Sequence, residues 1–546
     1  MIDLFHSQQM VKVGCLIHKE YAERTIFALG ELEIVHLTQL KFVAPTKYEV
    51  SEGGRGRLQE VSSLLSRTSS VLAKLGLKHR ISKRIRIEWE DTSALIEEAT
   101  ADLEAIEKRI EEIDAATQAL EADLTIPIPR FRLRKKGLEM RLHELAKESG
   151  KTLHRLSLRL TGKRLVYEVL DRLPHTKKVY FFEGWVPKRR LKEFYDCLQS
   201  VSEGFGGVLR EVEAEISPEK AARGLGKPPR LLRYPRVTGV FGSFASITRA
   251  FGVPDYYEFD PTAFFLLSFP IIFGMMYGDI GHGVMLFAGA WIIYLLKDRF
   301  VFGKASIFRF VFEGLPLIML CATSSIIFGF LYGELFGSEE WFTLLTGLHE
   351  ALWFSPLRHP NALLRYSLYV GIIHFSFGLI LDMLNKVSSR QFVEALLGPS
   401  LWLWFYLSGS YLVVTRGWGV VDVMNEPVTP GLFILLPFGF MLLGSMYLEG
   451  YMGVNKALEA LLTSFSHTVS YARILALKVI STSFSILILP TSVLGFIPFF
   501  IGTLFLITIF ENLLVFLHTL RLHWIEWFSK FYRGSGEQFR PFALVE

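Results

Sequence analysis

The chain has 546 residues, half of them hydrophobic, and a mean hydropathy of +0.32. Residues 1–250 hold 43 Lys and Arg against 34 Asp and Glu, and residues 251–546 hold 16 against 20, so the net +5 is +9 on the first part and −4 on the second. Apolar runs of around 20 residues argue against a single soluble globule, 14% aromatic content argues against intrinsic disorder, and the scattered Cys15, Cys197 and Cys321 offer neither a disulfide framework nor a cysteine metal site.

The expected organisation is a soluble basic head, residues 1–255, joined to a membrane body, residues 256–546. The opening MIDLFHSQQM lacks the basic-then-apolar order of a cleavable signal peptide, so the head is expected in the cytoplasm. Within the head, the apolar run Met10–Ile17, a helical stretch and Glu33–Leu37 read as one βαβ pattern. A second follows in Lys178–Val186, the polar helix Lys188–Val201 and Gly207–Ile216. Between them Ile96, Ala99, Leu103, Ile106, Ile110, Ile113, Thr117, Leu120 and Leu124 alternate steps of three and four, a heptad seam. Ile126-Pro127-Ile128-Pro129 stops that helix, and Phe131 to about Leu160 can return antiparallel. The head is therefore expected to be two ferredoxin-like α/β lobes joined by an antiparallel coiled-coil hairpin at about 55–175, a strut with no obvious pocket. The basic stretch Arg130–Lys136 is read as a solvated coiled-coil face, with no nucleic acid expected. No GxxxxGK[ST] occurs, so no P-loop nucleotide site is expected, and neither is a cofactor or metal.

In the body, spans are predicted near 262–278, 281–296, 310–336, 362–384, 396–415, 430–448, 457–490 and 496–528. These make an α-helical polytopic domain of about eight transmembrane helices, the last two long and tilted. An even count puts both termini on one side. Loop charges agree: Arg230, Arg233, Arg236, Arg249, Lys297, Arg299, Lys304, Arg309, Lys386, Arg390, Lys456, Lys530, Arg533 and Arg540 fall on the proposed cytoplasmic side, against Arg358, Arg365 and Arg416 opposite. Gly274 and Gly278, and Gly329, Gly333 and Gly337, have the four-residue spacing that lets helices pack closely.

Charges where lipid disfavours them carry the functional signal. Arg473 lies mid-span, where insertion of an arginine is disfavoured by roughly 2.5–3.5 kcal/mol. At about 100° per residue, Ser466, Ser470 and Ser481 fall near its face, and Glu459 lies about 21 Å away and some 40° around the helix. In the last span Glu511, His518 and Arg521 share a sector of roughly 80°. Glu and His can exchange protons in series. An arginine stays charged and cannot pass a proton on, so Arg473 among titratable groups suggests a barrier between half-channels. Alternatively the charges pair with one another and only hold the bundle together. Lys478 faces about 140° away from Arg473, with Asp279, Glu334, Asp382 and Glu449 as possible partners.

The chain resembles the membrane stator subunit of rotary V-type and archaeal A-type ATPases, subunit a or I. The resemblance rests on Glu183–Pro187 (EGWVP), Gly252–Pro261 (GVPDYYEFDP), Phe273–Gly283 (FGMMYGDIGHG), Phe328–Gly337 (FGFLYGELFG), Ser466–Leu477 (SHTVSYARILAL), His518–Tyr532 (HTLRLHWIEWFSKFY) and Phe539–Phe542, and covers most of residues 183–546. It implies that Arg473 meets an ion-carrying carboxylate on a rotating proteolipid ring, and that Glu459, Glu511, His518 and Arg521 line the half-channels; Ser470, on the face of Arg473, is counted with them as an ion-translocation residue. Asp279 falls in the motif the family places near the non-cytoplasmic opening. Peripheral-stalk coiled-coil subunits on the arm, indirect linkage to a soluble ATPase head, contact with lipid, and residence in the plasma membrane of an archaeon or bacterium follow from the same resemblance. The chain itself would be non-catalytic, with proton or sodium as the ion. One departure is Ser481, where eukaryotic members carry a histidine eight residues after the arginine; Lys478 is another. A self-contained secondary transporter with a regulatory head is the alternative, and it would call for repeated broken helices around a midplane site.

Overall fold

A computed structural model describes residues 8–38, 53–77, 89–122, 128–213, 228–230, 240–296, 307–416, 428–488 and 497–544. Two units divide the chain, one of Gln8–Ala214 with Phe539–Glu546 and one containing Glu215–Gln538.

The first unit is built on one four-stranded sheet, β1 (Met10–His18), β2 (His36–Leu37), β3 (Val179–Pro187) and β4 (Gly206–Glu213), in the order β2-β3-β1-β4 with every pairing antiparallel. Helix α1 (Lys19–Leu32) follows β1, and α5 (Leu191–Val201) links β3 to β4. The two βαβ patterns are therefore halves of a single ferredoxin-like lobe, which corrects the expectation of two lobes. Each half alone would offer a two-stranded sheet too small to stand in water, and merging them makes β1 and β3 central. The EGWVP segment ends β3, with Trp185 buried and Gly184 so close to β2 that a Cβ would lie 2.5 Å from the Val35 side chain.

The arm is inserted between β2 and β3 as α2 (Gly53–Lys74), α3 (Thr92–Ala122) and α4 (Ile128–Arg172), which pack on one another. Of the expected seam, Ala99, Leu103, Ile106, Ile110 and Leu120 are buried, while Leu124 lies outside the described residues. At the root of the arm, Glu23 of α1 accepts from Lys163 Nζ and from the Tyr167 hydroxyl of α4, both at 2.7 Å, and Lys163 Nζ stands 3.8 Å over the Trp89 ring. Residues 539–544 close the same unit: Phe542 N donates to Val35 O (2.8 Å), and Phe542 and Leu544 pack on Gly30.

The second unit is helical. Its elements are α6 (Val240–Phe251), α7 (Thr262–Tyr277), α8 (Ile280–Leu296), α9 (Ile307–Tyr332), α10 (Glu339–Thr346), α11 (Pro360–Ser388), α12 (Leu401–Arg416), α13 (Leu436–Glu449), α14 (Gly453–Ser470), α15 (Arg473–Ile488) and α16 (Ile497–Arg521). Three helical runs among the described residues are long and apolar enough to cross a membrane, Gly314–Tyr332, Pro360–Ser388 and Gly431–Ser483, and α7 and α8 are shorter apolar helices. Leu267, Ile373, Leu443, Leu462 and Phe465 stand outward with more than 60% of their surface exposed, as a lipid-facing bundle requires. Gly329 lets α9 cross the start of α8, since a Cβ there would lie 2.5 Å from the Ile280 nitrogen. Gly274 is similarly crowded by Ser324, and Gly278 by Tyr332. Gly333 and Gly337 differ from the packing expectation, because both lie past the end of α9 with φ near +70°, a left-handed turn that glycine adopts without strain.

The most recognisable loop motif is a clasp. In Gly252–Pro261 the Glu258 carboxylate accepts from Asp255 N (2.9 Å) and Arg533 N (3.1 Å), while Arg230 Nη1 donates to the Asp255 and Glu258 carbonyls. Asn385 accepts from Phe259 N and donates to Phe531 O, and the Tyr532 hydroxyl donates to Gly252 O. These polar groups tie the end of the last helix to the segment before the first apolar one.

Candidate ion-translocation site

The site lies where α14, α15 and α16 meet α7, α8 and the 333–338 turn. The expected single helix over 457–490 is interrupted: α14 ends at Ser470, Tyr471 and Ala472 form a tightened turn bonded to Thr468 and Val469, and α15 starts at Arg473. Tyr471 is fully buried against Gly371, where a Cβ would lie 2.8 Å from its ring, and its hydroxyl bonds His374 Nδ1 at 2.7 Å. The arginine thus sits at a break whose geometry is fixed from behind.

Arg473 has a side chain 21% exposed. Its Nη2 donates to Ser470 Oγ at 2.7 Å, and its Nη1 stands 3.6 Å from Glu526 Oε1 without making a hydrogen bond. Ser470 Oγ also donates to Glu526. Glu526 is the residue that sequence reasoning missed. It lies five residues after Arg521, off the predicted stripe by regular helix rotation, but Leu522–Phe528 winds as a π-helix whose i→i+5 geometry returns residue 526 to that face. The signal available was an acid inside an otherwise apolar stretch.

The predicted residues divide into two groups. Ser470, His518 and Arg521 lie around Arg473, with His518 half-buried, Arg521 exposed and both within electrostatic reach of the guanidinium. Glu511 lies in the other group, buried, with Oε2 accepting from Ser481 Oγ at 3.1 Å and Oε1 without a hydrogen bond. Ser481 is eight residues, about 12 Å, along α15 from Arg473. Glu459 is not brought to Arg473; it is exposed on α14, with Lys530 as a charged neighbour.

Asp279 is buried, and its oxygens accept from the backbone amides of His282 (2.9 Å), Phe336 (3.1 Å) and Gly337 (2.6 Å). The GDIGHG and YGELFG motifs are thereby locked together. Among the four candidate partners of Lys478, the structure selects Glu334: Nζ to Oε2 is 2.7 Å, neither side chain exceeds 1% exposure, and Nζ also donates to Gly278 O at 2.7 Å. Thr482 adds a hydroxyl to the same Glu334 oxygen. Chemically, the site joins a permanent cation at a helix break to a buried network of carboxylates, hydroxyls and one lysine.

Apolar helices, an interior arginine and buried carboxylates define a membrane protein with charged groups inside its helical bundle. Residues 99–344 and 454–544 match the V-type ATPase 116kDa subunit family, and the chain belongs to that family. It is 30% identical to the A-type ATP synthase subunit I of Archaeoglobus fulgidus over 438 residues, covering 70% of this chain and 61% of that protein. It is 24% identical to the vacuolar proton translocating ATPase 100 kDa subunit of Dictyostelium discoideum, covering 68% and 59%, and 27% identical to the A-type ATP synthase subunit I of Methanocaldococcus jannaschii, covering 67% and 55%. The chain thus spans about 55–61% of the length of these relatives.

Proposed function

We propose that the chain is the ion-translocating stator subunit of a rotary A/V-type ATPase or ATP synthase, non-catalytic in itself and handling protons. The body, residues 256–546, crosses the membrane about eight times and forms two half-channels against a proteolipid ring. The head, residues 1–255, lies in the cytoplasm with both termini, and its arm anchors peripheral stalks. The observation that carries this reading is Arg473, set at a helix break with its side chain 21% exposed, one turn after the exposed Val469.

The physics of the site supports it. A ring carboxylate must be neutral to face hydrocarbon and can ionise only beside a compensating charge. Arg473 favours the ionised form, so the ion leaves into one half-channel. The next carboxylate is loaded from the other, and the guanidinium, which cannot give up its proton, blocks direct leakage between them. Glu526 and Ser470 hold the guanidinium in place from the stator side. Each charge crossing is worth about 2.3 kcal/mol per 100 mV, which rotation couples to ATP chemistry on other subunits. Purification of the chain in mild detergent is expected to bring down a proteolipid ring and stalk proteins. An isolated homodimer that transports ions without a ring contradicts the reading and favours a self-contained transporter.

A further inference from the structure

The described part of the second unit buries three histidines whose ring contacts differ in kind. His523 donates from Nδ1 to the Thr519 carbonyl, 2.8 Å, and meets Ser268 Oγ at Nε2, 2.9 Å. A carbonyl only accepts, so Nδ1 must carry the proton and that tautomer is locked. His374 meets Tyr471 through Nδ1, and its Nε2 is buried with no hydrogen bond, so nothing receives a proton there. His282, 1% exposed, is different: Nδ1 bonds Thr508 Oγ1 at 2.8 Å and Nε2 bonds Ser485 Oγ at 2.9 Å. Each hydroxyl can donate or accept by rotating about its C–O bond, so either neutral tautomer finds a partner at both nitrogens.

That contact pattern forms the second rung of a ladder. Ser485 follows Ser481 by four residues on α15, and Thr508 precedes Glu511 by three on α16, so the Ser485–His282–Thr508 rung lies about 4.5–6 Å from the Ser481–Glu511 rung. A step of that length is spanned by one bridging water. The Glu511 oxygen that lacks a hydrogen bond leaves the carboxyl open to a proton at the near end.

We propose that His282 is a proton-relay residue of this subunit, passing protons between the Thr508 and Ser485 hydroxyls in exchange with Glu511; this rests on the rotary reading above. A proton arriving from one hydroxyl binds the unprotonated ring nitrogen. The N–H bond on the opposite nitrogen then breaks and its proton passes to the second hydroxyl. Each hydroxyl takes up or releases a second proton on its far side, so no net charge is left behind; the ring is left as the other neutral tautomer, and a flip of the imidazole or a proton returning along the same path resets it. The charged and titratable groups that face the ring are fixed by other contacts: Asp279 by three backbone amides, Lys478 by Glu334, and the Tyr277 hydroxyl by the Thr508 carbonyl. The proton-handling histidine that position 481 lacks is thus supplied from α8, one turn further along.

The test is the His282→Gln variant in the whole complex, reconstituted in vesicles. Glutamine fills the space and can both donate and accept, but it cannot pass a proton through itself. Expected are unchanged subunit recovery, an ATP-driven proton-pumping rate at least about tenfold lower, and loss of the wild-type pH profile of pumping. Ser485→Ala, which leaves the imidazole in place and removes one link, should slow pumping in the same direction and serves if the glutamine variant fails to assemble. Wild-type pumping and pH profile in either assembled variant overturns the relay. So does uptake of sodium with no proton movement. The rotary reading survives both outcomes so long as replacement of Arg473 still stops transport.

Discussion

Arg473→Ala is expected to leave the complex assembled and to abolish ATP-driven ion pumping in reconstituted vesicles. The hydrogen-bond and ion-pair partners of Arg473 among the described residues are Ser470 and Glu526, and the Ser470 hydroxyl still bonds Glu526 after truncation, so assembly is expected to survive. On the proposed reading, transport loses the group that holds a ring carboxylate ionised and separates the half-channels. Without it, a carboxylate leaving the stator has no compensating charge, and rotation either stalls or proceeds with leakage. Arg473→Lys should also fail or pump weakly, because an ammonium can release its proton and makes one compact contact where a guanidinium makes a planar fork. Pumping rate, ATP hydrolysis and subunit stoichiometry measured together decide the matter. Normal pumping by a well-assembled alanine variant removes the barrier mechanism.

Lys478→Ala should act on stability. The Lys478–Glu334 pair is almost wholly shielded from solvent, and the lysine also satisfies the Gly278 carbonyl. Truncating one partner of such a pair leaves an uncompensated charge, a loss on the order of 3–5 kcal/mol. It would also release the turn at 333–338, which holds the amides that grip Asp279. The expected readout is a large drop in intact complex recovered after mild heating. Replacing both partners, Lys478→Met with Glu334→Gln, should recover most of the loss, because two neutral side chains of similar volume need no countercharge. A single variant as heat-resistant as the wild type would show that the pair is not structural.

Much of this architecture was legible in the sequence because it follows from periodicity. The seam through Ala99, Leu103, Ile106 and Ile110 is buried as three-four spacing requires, and the strands at 10–18 and 179–187 lie where apolar runs placed them. What periodicity could not show was long-range pairing. Joining 10–18 to 179–187 across an arm of more than a hundred residues turns two apparent lobes into one, and local pattern carries no trace of it. The site was legible in its chemistry and less so in its geometry. Arg473, Glu511 and His518 stood out as charges in apolar surroundings. Rotation at 100° per residue nonetheless assumed regular helices, and it failed where the chain is irregular: at the 471–472 break, which separates Glu459 from Arg473, and in the π-helical 522–528 segment, which delivers Glu526. The four-residue glycine series likewise continued past the helix it was assigned to, since Gly333 and Gly337 serve a turn.

The central claim is that Arg473 confronts an acid carried on a moving ring, and a disulfide trap tests it most directly. Val469 is 48% exposed one turn before Arg473, so Val469→Cys can be paired with a cysteine one helical turn from the ion-carrying carboxylate of the ring subunit. The native thiols offer little competition: Cys15 and Cys321 are buried and Cys197 is half-buried, and burial pushes the Cys15 thiol up to about 12 and raises that of Cys197. Rapid formation of a link between the stator and a single ring subunit, with ATP hydrolysis halted until a reductant is added, is the predicted result. A Val469→Cys variant that links instead to a second copy of its own chain, with the ring rotating freely, would contradict the account.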